Sequence, residues 1–206
     1  MTYSFGDLRH LFRTPIGRKR LVINAYQTAW PILSRLAGLY RRTFVRNTRI
    51  VAVVGSFGKT TTTRAVVAAL GEHVRHSSKG QWGSALARFV LAIRPCDRQA
   101  VIEVPINDLR QMASFARLVR PDITVVTSIG SGSEHHRSLK SLDVIRAEKS
   151  ETVAILPETG IAVLNGDDPN VLWMSGQTRA RSITFGIGEA NDIRASAIAH
   201  DWPNGT

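Results

Sequence analysis

Residues Gly55–Thr60 (GSFGKT) have the types and the spacing to hold a phosphate. Glycines at 55 and 58 let successive backbone N–H groups turn toward one anion. Lys59 can carry a positive charge to terminal phosphates, and the Thr60 hydroxyl is a hard oxygen suited to Mg²⁺. A helix beginning at Lys59 would add its dipole. The longer phosphate-loop pattern needs a glycine at position 53, where the chain has Val53, so the match is to the shorter G-x-x-G-K-T form. The plainer alternative is a glycine turn into an ordinary helix. On the phosphate reading, Gly55, Ser56, Phe57, Gly58, Lys59, Thr60 and Thr61 are the candidate nucleotide contacts.

Such a loop belongs between a buried strand and a helix, and its flanks predict both. Arg49–Gly55 (RIVAVVG) is a short β-branched run of the kind buried on both faces of a parallel sheet. Lys59 to about Gly71 predicts a helix, with Ala65, Val66, Ala69 and Leu70 on one face and Gly71 as its terminator. Further strands are expected at 100–104, 123–127, 161–164, 182–185 and 193–198, and helices at 84–93, 109–119 and 141–156. Asp167 and Asp168 read as a helix-capping turn. Residues 72–99 are otherwise mixed. Strands alternating with helices imply an α/β fold with a parallel sheet. Residues 49–206 are therefore read as a parallel-sheet P-loop nucleotide-binding domain. Asp201–Thr206 has turn composition without a return strand, so the domain reads as incomplete at its C-terminus.

At 206 residues, 43% apolar and 21% charged, the chain can build one ordinary domain with an appendage. A single cysteine, Cys96, excludes an intrachain disulfide framework and a cysteine-based zinc cluster, and it fits a reducing cytoplasm. The net charge of +11 is uneven. Residues 1–50 hold ten Lys or Arg against one acid, Asp7, so residues 1–48 read as a basic, amphipathic N-terminal arm. Its apolar stretch, 21–40, is interrupted by Asn24, Gln27, Ser34 and Arg35 and would be kinked by Pro31, which argues against a membrane span. No signal-peptide cleavage site stands out. Two readings remain: a helix packed on the domain with solvated basic flanks, or a peripheral helix on an anionic membrane surface. Nucleic acid is not favoured, because aromatics and basic residues are not interleaved in a recognisable motif.

The segment Gly55–Thr62 (GSFGKTTT) resembles the ATP loop of the Mur ligases, which add amino acids or peptides to a cell-wall precursor. Val101–Asn107 is similar to the family's strand ending in a metal-associated glutamate, here Glu103. Pro121–Ile129 followed by His135 resembles its strand and magnesium-associated histidine, with His136 adjacent. Ser141–Thr152 resembles the helix whose lysine, here Lys149, is carbamylated in many members. Gly160–Asp168 resembles the family's strand and acidic turn. The motifs are in order over about 49–187, closest to the ligase that adds D-alanyl-D-alanine. Pro105 stands where the family usually has glycine. A basic stretch of about fifty residues precedes the loop, where many members carry a uridine-nucleotide-binding domain.

The resemblance implies an ATP-dependent carboxylate–amine ligase in cell-wall precursor synthesis. A carboxylate acceptor attacks the γ-phosphate of ATP to give an acyl phosphate, and an amino acid or peptide amine displaces the phosphate. The roles it implies are Lys59, Lys149 and His135 in catalysis, and Thr60, Glu103 and His135 at Mg²⁺. Two alternatives stand beside it: a poly-glutamate-type polymer ligase, and a non-catalytic nucleotide-binding fragment at the membrane surface. Ordinary roles for the same side chains are an ion-paired Glu103, a solvated His135, an exposed Lys149 paired with neighbouring acids, and Trp82 and Trp173 in packing.

Overall fold

The β-branched run after the basic arm forms an inner strand of a seven-stranded sheet. The structure is a computed structural model that describes residues 14–71, 73–77, 83–105, 110–130 and 141–198. The strands are β1 (Arg49–Val54), β2 (Arg75–Ser77), β3 (Gln99–Glu103), β4 (Ile123–Val126), β5 (Ile161–Asn165), β6 (Arg181–Gly186) and β7 (Ile193–Arg194). They pair in the order β2-β3-β1-β4-β5-β6-β7, and every pairing is parallel. Residues 50–54 of β1 are all buried, as a strand covered by helices on both faces requires.

The helices are α1 (Pro15–Thr28), α2 (Trp30–Thr43), α3 (Lys59–Leu70), α4 (Gly83–Ala92), α5 (Gln111–Val119), α6 (Leu142–Ala154) and α7 (Pro169–Leu172), followed by a 3₁₀ turn at Trp173–Gln177. Ala52, Val54, Ile102, Val126 and Leu164 pack with Leu86 and Val90 of α4, Met112 and Phe115 of α5, and Ile145 and Val153 of α6 in one core. A second, smaller core on the other side holds Val51, Val53, Val101 and Val125, with Val66 and Val67 of α3 against it. Strand residues that alternate between two cores are what a sheet sandwiched between helical layers demands.

Several expectations change in detail. Arg75–Ser77 forms an edge strand inside the segment read as mixed. The last strand is confined to Ile193–Arg194, not the expected run to 198. The stretch 21–40 is split between α1 and α2 at Ala29, directly before the Trp30-Pro31 start of α2. Proline lacks the N–H that would continue the first helix and suits the first turn of the second.

Helix α2 packs against α4 and α5. Ala37, Gly38 and Arg41 are buried, and Trp30 meets Phe115 edge to face at 5.7 Å. Arg41 anchors the helix to the strand starts. Its Nε donates to Val119 O at 3.1 Å, and its Nη2 donates to Arg120 O at 3.1 Å and to Asp122 Oδ2 at 3.0 Å. Asp122 Oδ2 also accepts from Ile50 N at 2.8 Å, so the pair ties α2 to the start of β1 and to the residue just before β4. Burial lowers the Arg41 pKa, an effect opposed by the Asp122 carboxylate.

Candidate nucleotide site

The candidate loop leaves the C-terminal end of β1, the end at which parallel α/β sheets place their ligand crevices. Gly55 has φ +151°, and a Cβ there would run into Thr127 Oγ1. Gly58 has φ +78° and is the N-cap of α3. Both backbone conformations suit glycine far better than residues with a Cβ. No side chain caps α3, and the first intrahelical bond of its turn runs from Thr62 N to Gly58 O. The amides of the preceding residues are therefore donors that the helix itself does not use. By contrast, α6 is capped by Ser141 and α7 by Asp168.

The segment after β4 braces the loop. Ser56 N donates to Ser128 O at 2.8 Å, and Phe57 N donates to Ser128 Oγ at 2.9 Å. Thr127 Oγ1 donates within reach of Val54 O and Phe57 O. Ser56 Oγ donates to Gly130 O at 2.9 Å and accepts from Gly130 N at 2.8 Å. One strand further, Asn165 Nδ2 donates to Thr127 O at 2.9 Å, and Asp168 Oδ2 accepts from Ile129 N at 2.8 Å. Thr127, Ser128, Asn165 and Asp168 were missed as site residues in the sequence. The available signal was their type and place: short polar side chains at or just past the ends of β4, which pairs with β1, and of β5, the next strand along.

Lys59 Nζ lies over the loop, donating to Gly55 O at 2.6 Å and Ser56 O at 3.4 Å. Thr60 Oγ1 donates to Glu103 Oε2 at 3.2 Å, bringing the two candidate metal residues together from α3 and the end of β3. Glu103 Oε1 is buried with no hydrogen-bond partner among the described residues. A carboxylate oxygen left over beside a hydroxyl fits a hard divalent cation such as Mg²⁺, which takes one or two carboxylates and completes its octahedron with water and phosphate oxygens. No cluster of three or more His, Cys, Asp or Glu able to hold a metal occurs among the described residues.

Lys149 is not an exposed helix lysine. It is 1% exposed, and its Nζ donates to Ser56 Oγ at 3.0 Å across the floor of the loop. Thr61 is exposed on the first turn of α3, and Phe57 is exposed at the tip of the loop. His135, His136, Asn107 and Trp82 lie outside the described residues. Of the acidic turn, Asp168 is the helix cap. Asp167, expected to share that role, instead accepts from Ile187 N at 2.7 Å and Gly188 N at 3.0 Å. These backbone donors, with Asn191, hold the Asp167 carboxyl below its ordinary pKa. Trp173 is half-exposed, and the Arg146 guanidinium lies 4.3 Å from its ring centroid.

Residues 53–205 match the Mur ligase middle domain family. The chain belongs to the Mur ligase family. It is 31% identical over 170 residues to the UDP-N-acetylmuramoyl-tripeptide–D-alanyl-D-alanine ligase of Bacillus subtilis strain 168, a match covering 81% of this chain and 36% of that enzyme. The fold is similar to that of MurF from Acinetobacter baumannii, with a TM-score of 0.72 at 21% identity over 83% of this chain and 38% of the other. It is also similar to MurF ligase from Thermotoga maritima in complex with ADP, with a TM-score of 0.68 at 23% identity over 80% of this chain and 38% of that one. The chain thus spans little more than a third of the length of these Mur ligase relatives.

Proposed function

We propose that the chain is the ATP-handling part of a Mur-type carboxylate–amine ligase that works through an acyl phosphate in cell-wall precursor synthesis. The observation that carries this reading is the braced loop of Gly55–Thr60, with its uncapped helix start and the Thr60–Glu103 pair beside it. Residues 49–206 form the ATP-binding domain in this proposal, and residues 1–48 form the basic arm. The acceptor is a small-molecule carboxylate and the donor an amino acid or peptide amine.

The chemical difficulty is an anionic carboxylate approaching an anionic phosphate. Lys59 exchanges its contacts with Gly55 O and Ser56 O for the terminal phosphates and offsets their charge. The amides at the start of α3 orient the phosphate chain. Thr60 and Glu103 would hold Mg²⁺, which supplies charge neutralisation at the phosphates. His135 would serve the same region. Lys149 is assigned the role of the family's carbamylated lysine, since a carbamate would replace a buried cation near the metal with an anion. The ADP held by the Thermotoga maritima relative supports the choice of nucleotide.

Calorimetric titration of this chain with ATP and Mg²⁺ tests the reading. Binding should require both, and Lys59→Ala should weaken it by about 100-fold or more. Equal binding by Lys59→Ala would overturn the assignment. Carbamylation has its own readout: ¹³C-labelled bicarbonate should give a carbamate signal that Lys149→Met lacks.

As to location, no helix among the described residues is long and apolar enough to cross a membrane. The proposal places the domain in the cytoplasm, with its basic arm at an anionic inner membrane face.

A further inference from the structure

Helix α2 turns Ala37, Gly38 and Leu33 toward the core but leaves three other large aliphatic residues outward. Ala37 and Gly38 are buried, whereas Ile32, Leu36 and Leu39 are 66%, 51% and 59% exposed. The spacing i, i+4, i+7 places these three on one stripe along the solvent side of the helix. An outward aliphatic stripe is the reverse of what a helix packed on a soluble domain requires.

Arginines line one border of the stripe. A groove of about 460 Å³ runs between α2 and α5, and its walls carry Arg35, Arg42 and Arg117 with Ser34, Ser114 and Trp30. No carboxylate lines it among the described residues. A second depression of about 330 Å³ shares Arg42 and adds Arg46 and Arg120. Its one carboxylate, Asp122, is engaged by Arg41 and Ile50 N.

We propose that this face of α2 is the surface by which the chain docks on an anionic lipid bilayer. Ile32, Leu36 and Leu39 enter the headgroup–acyl boundary, and the Arg35/Arg42/Arg117 groove receives lipid phosphates. The inference rests on the peripheral location proposed above, not on the ligase chemistry. A bilayer matches both features at once, since it offers acyl chains to the stripe and negative charge to the arginines. Nucleic acid would use the arginines but has no use for an aliphatic stripe. A second copy of the chain, pairing this patch with itself, would bring arginine against arginine with no acid to relieve them. Arg41 fixes the arginine end of α2 at the strand starts, whereas the phosphate loop leaves the strand ends. Docking through that end therefore leaves the nucleotide site open.

The test is co-sedimentation of the full chain with phosphatidylglycerol-containing vesicles and with pure phosphatidylcholine vesicles, with ATP binding measured on the same preparations. The chain should sediment with the anionic vesicles only. Because each charge is worth several-fold in partitioning, Arg35→Gln/Arg42→Gln/Arg117→Gln should weaken binding by about 100-fold. Loss of buried aliphatic area in Ile32→Gln/Leu36→Gln/Leu39→Gln should weaken it by about tenfold or more. Both variants should bind ATP like the parent, showing that they fold. Wild-type partitioning by both triple variants, or no sedimentation of the parent, would overturn the proposal. So would a dimer abolished by the aliphatic triple, or nucleic-acid binding that the aliphatic triple leaves intact. Vesicle binding without ATP binding would sink the ligase reading and leave this one standing.

Discussion

At the strand starts, Arg41 and Asp122 direct their polar atoms at the protein itself; at the strand ends, Glu103 Oε1 does not, and no side chain caps α3. Arg41 reaches three backbone carbonyls, those of Val45, Val119 and Arg120, and a carboxylate, and that carboxylate also receives a β1 amide. Glu103 keeps a buried oxygen with no hydrogen-bond partner among the described residues, and α3 begins without a side-chain cap. Satisfied polar groups stabilise a fold, while buried groups left with spare capacity cost stability unless something binds them. The difference teaches which end is scaffold and which is held ready for a ligand.

That contrast is open to attack by substitution. The largest effect is expected at the scaffold end. Arg41→Met should remove about 2–3 kcal/mol of unfolding free energy, because it strands three backbone carbonyls and breaks a partly buried pair. ATP affinity of the folded fraction should stay at the parent value, and a matching loss of affinity would erase the distinction between the ends. At the ligand end, Glu103→Gln should reverse the pattern. The Mg²⁺ concentration needed for nucleotide binding should rise by about tenfold, as loss of one carboxylate ligand implies. Denaturant unfolding without nucleotide should show no loss of stability, since a carboxylate with one buried oxygen lacking a hydrogen-bond partner among the described residues is replaced by a neutral amide whose oxygen can still accept from Thr60.

The smallest effect is expected at Asp167, which lies beyond β5 at the strand ends yet behaves as scaffold. Its folded pKa is lowered by hydrogen bonds from Ile187 N and Gly188 N, so its stabilisation is present above the ordinary carboxylate pKa. It is lost as pH falls through the lower, folded value. Asp167→Asn should melt slightly below the parent at neutral pH, and the gap should close on acidification. Melting curves across that range check it, and a gap that widens in acid would assign the stabilisation to another group.

Legibility in the sequence followed how local the causes were. Strands β1, β3, β4 and β5 were readable because each is a short apolar run between turn residues, and a strand whose two faces are buried, or in β5 one buried and one partly so, carries that mark. Strand β2 was not, since Arg75–Ser77 is a three-residue polar edge that only the existing sheet makes a strand. The split at Ala29 was half readable, through Pro31. Nothing local predicted the burial of Lys149, because its cause is the position of Ser56 across the sheet, 93 residues away in sequence.

The sequence alone determined the phosphate loop, its strand and helix, the α/β class and the basic character of the first fifty residues. These rest on residue type, short spacing and period, which are properties of a segment. Only the tertiary structure decided that Thr127, Ser128 and Asn165 brace the loop, that Thr60 meets Glu103, and that α2 leaves Ile32, Leu36 and Leu39 outward. Each depends on which strands became neighbours and on which side of a helix met the core. Such contacts join residues far apart in the chain, and the pairing order of a parallel sheet is set by packing of the whole domain rather than by any one segment.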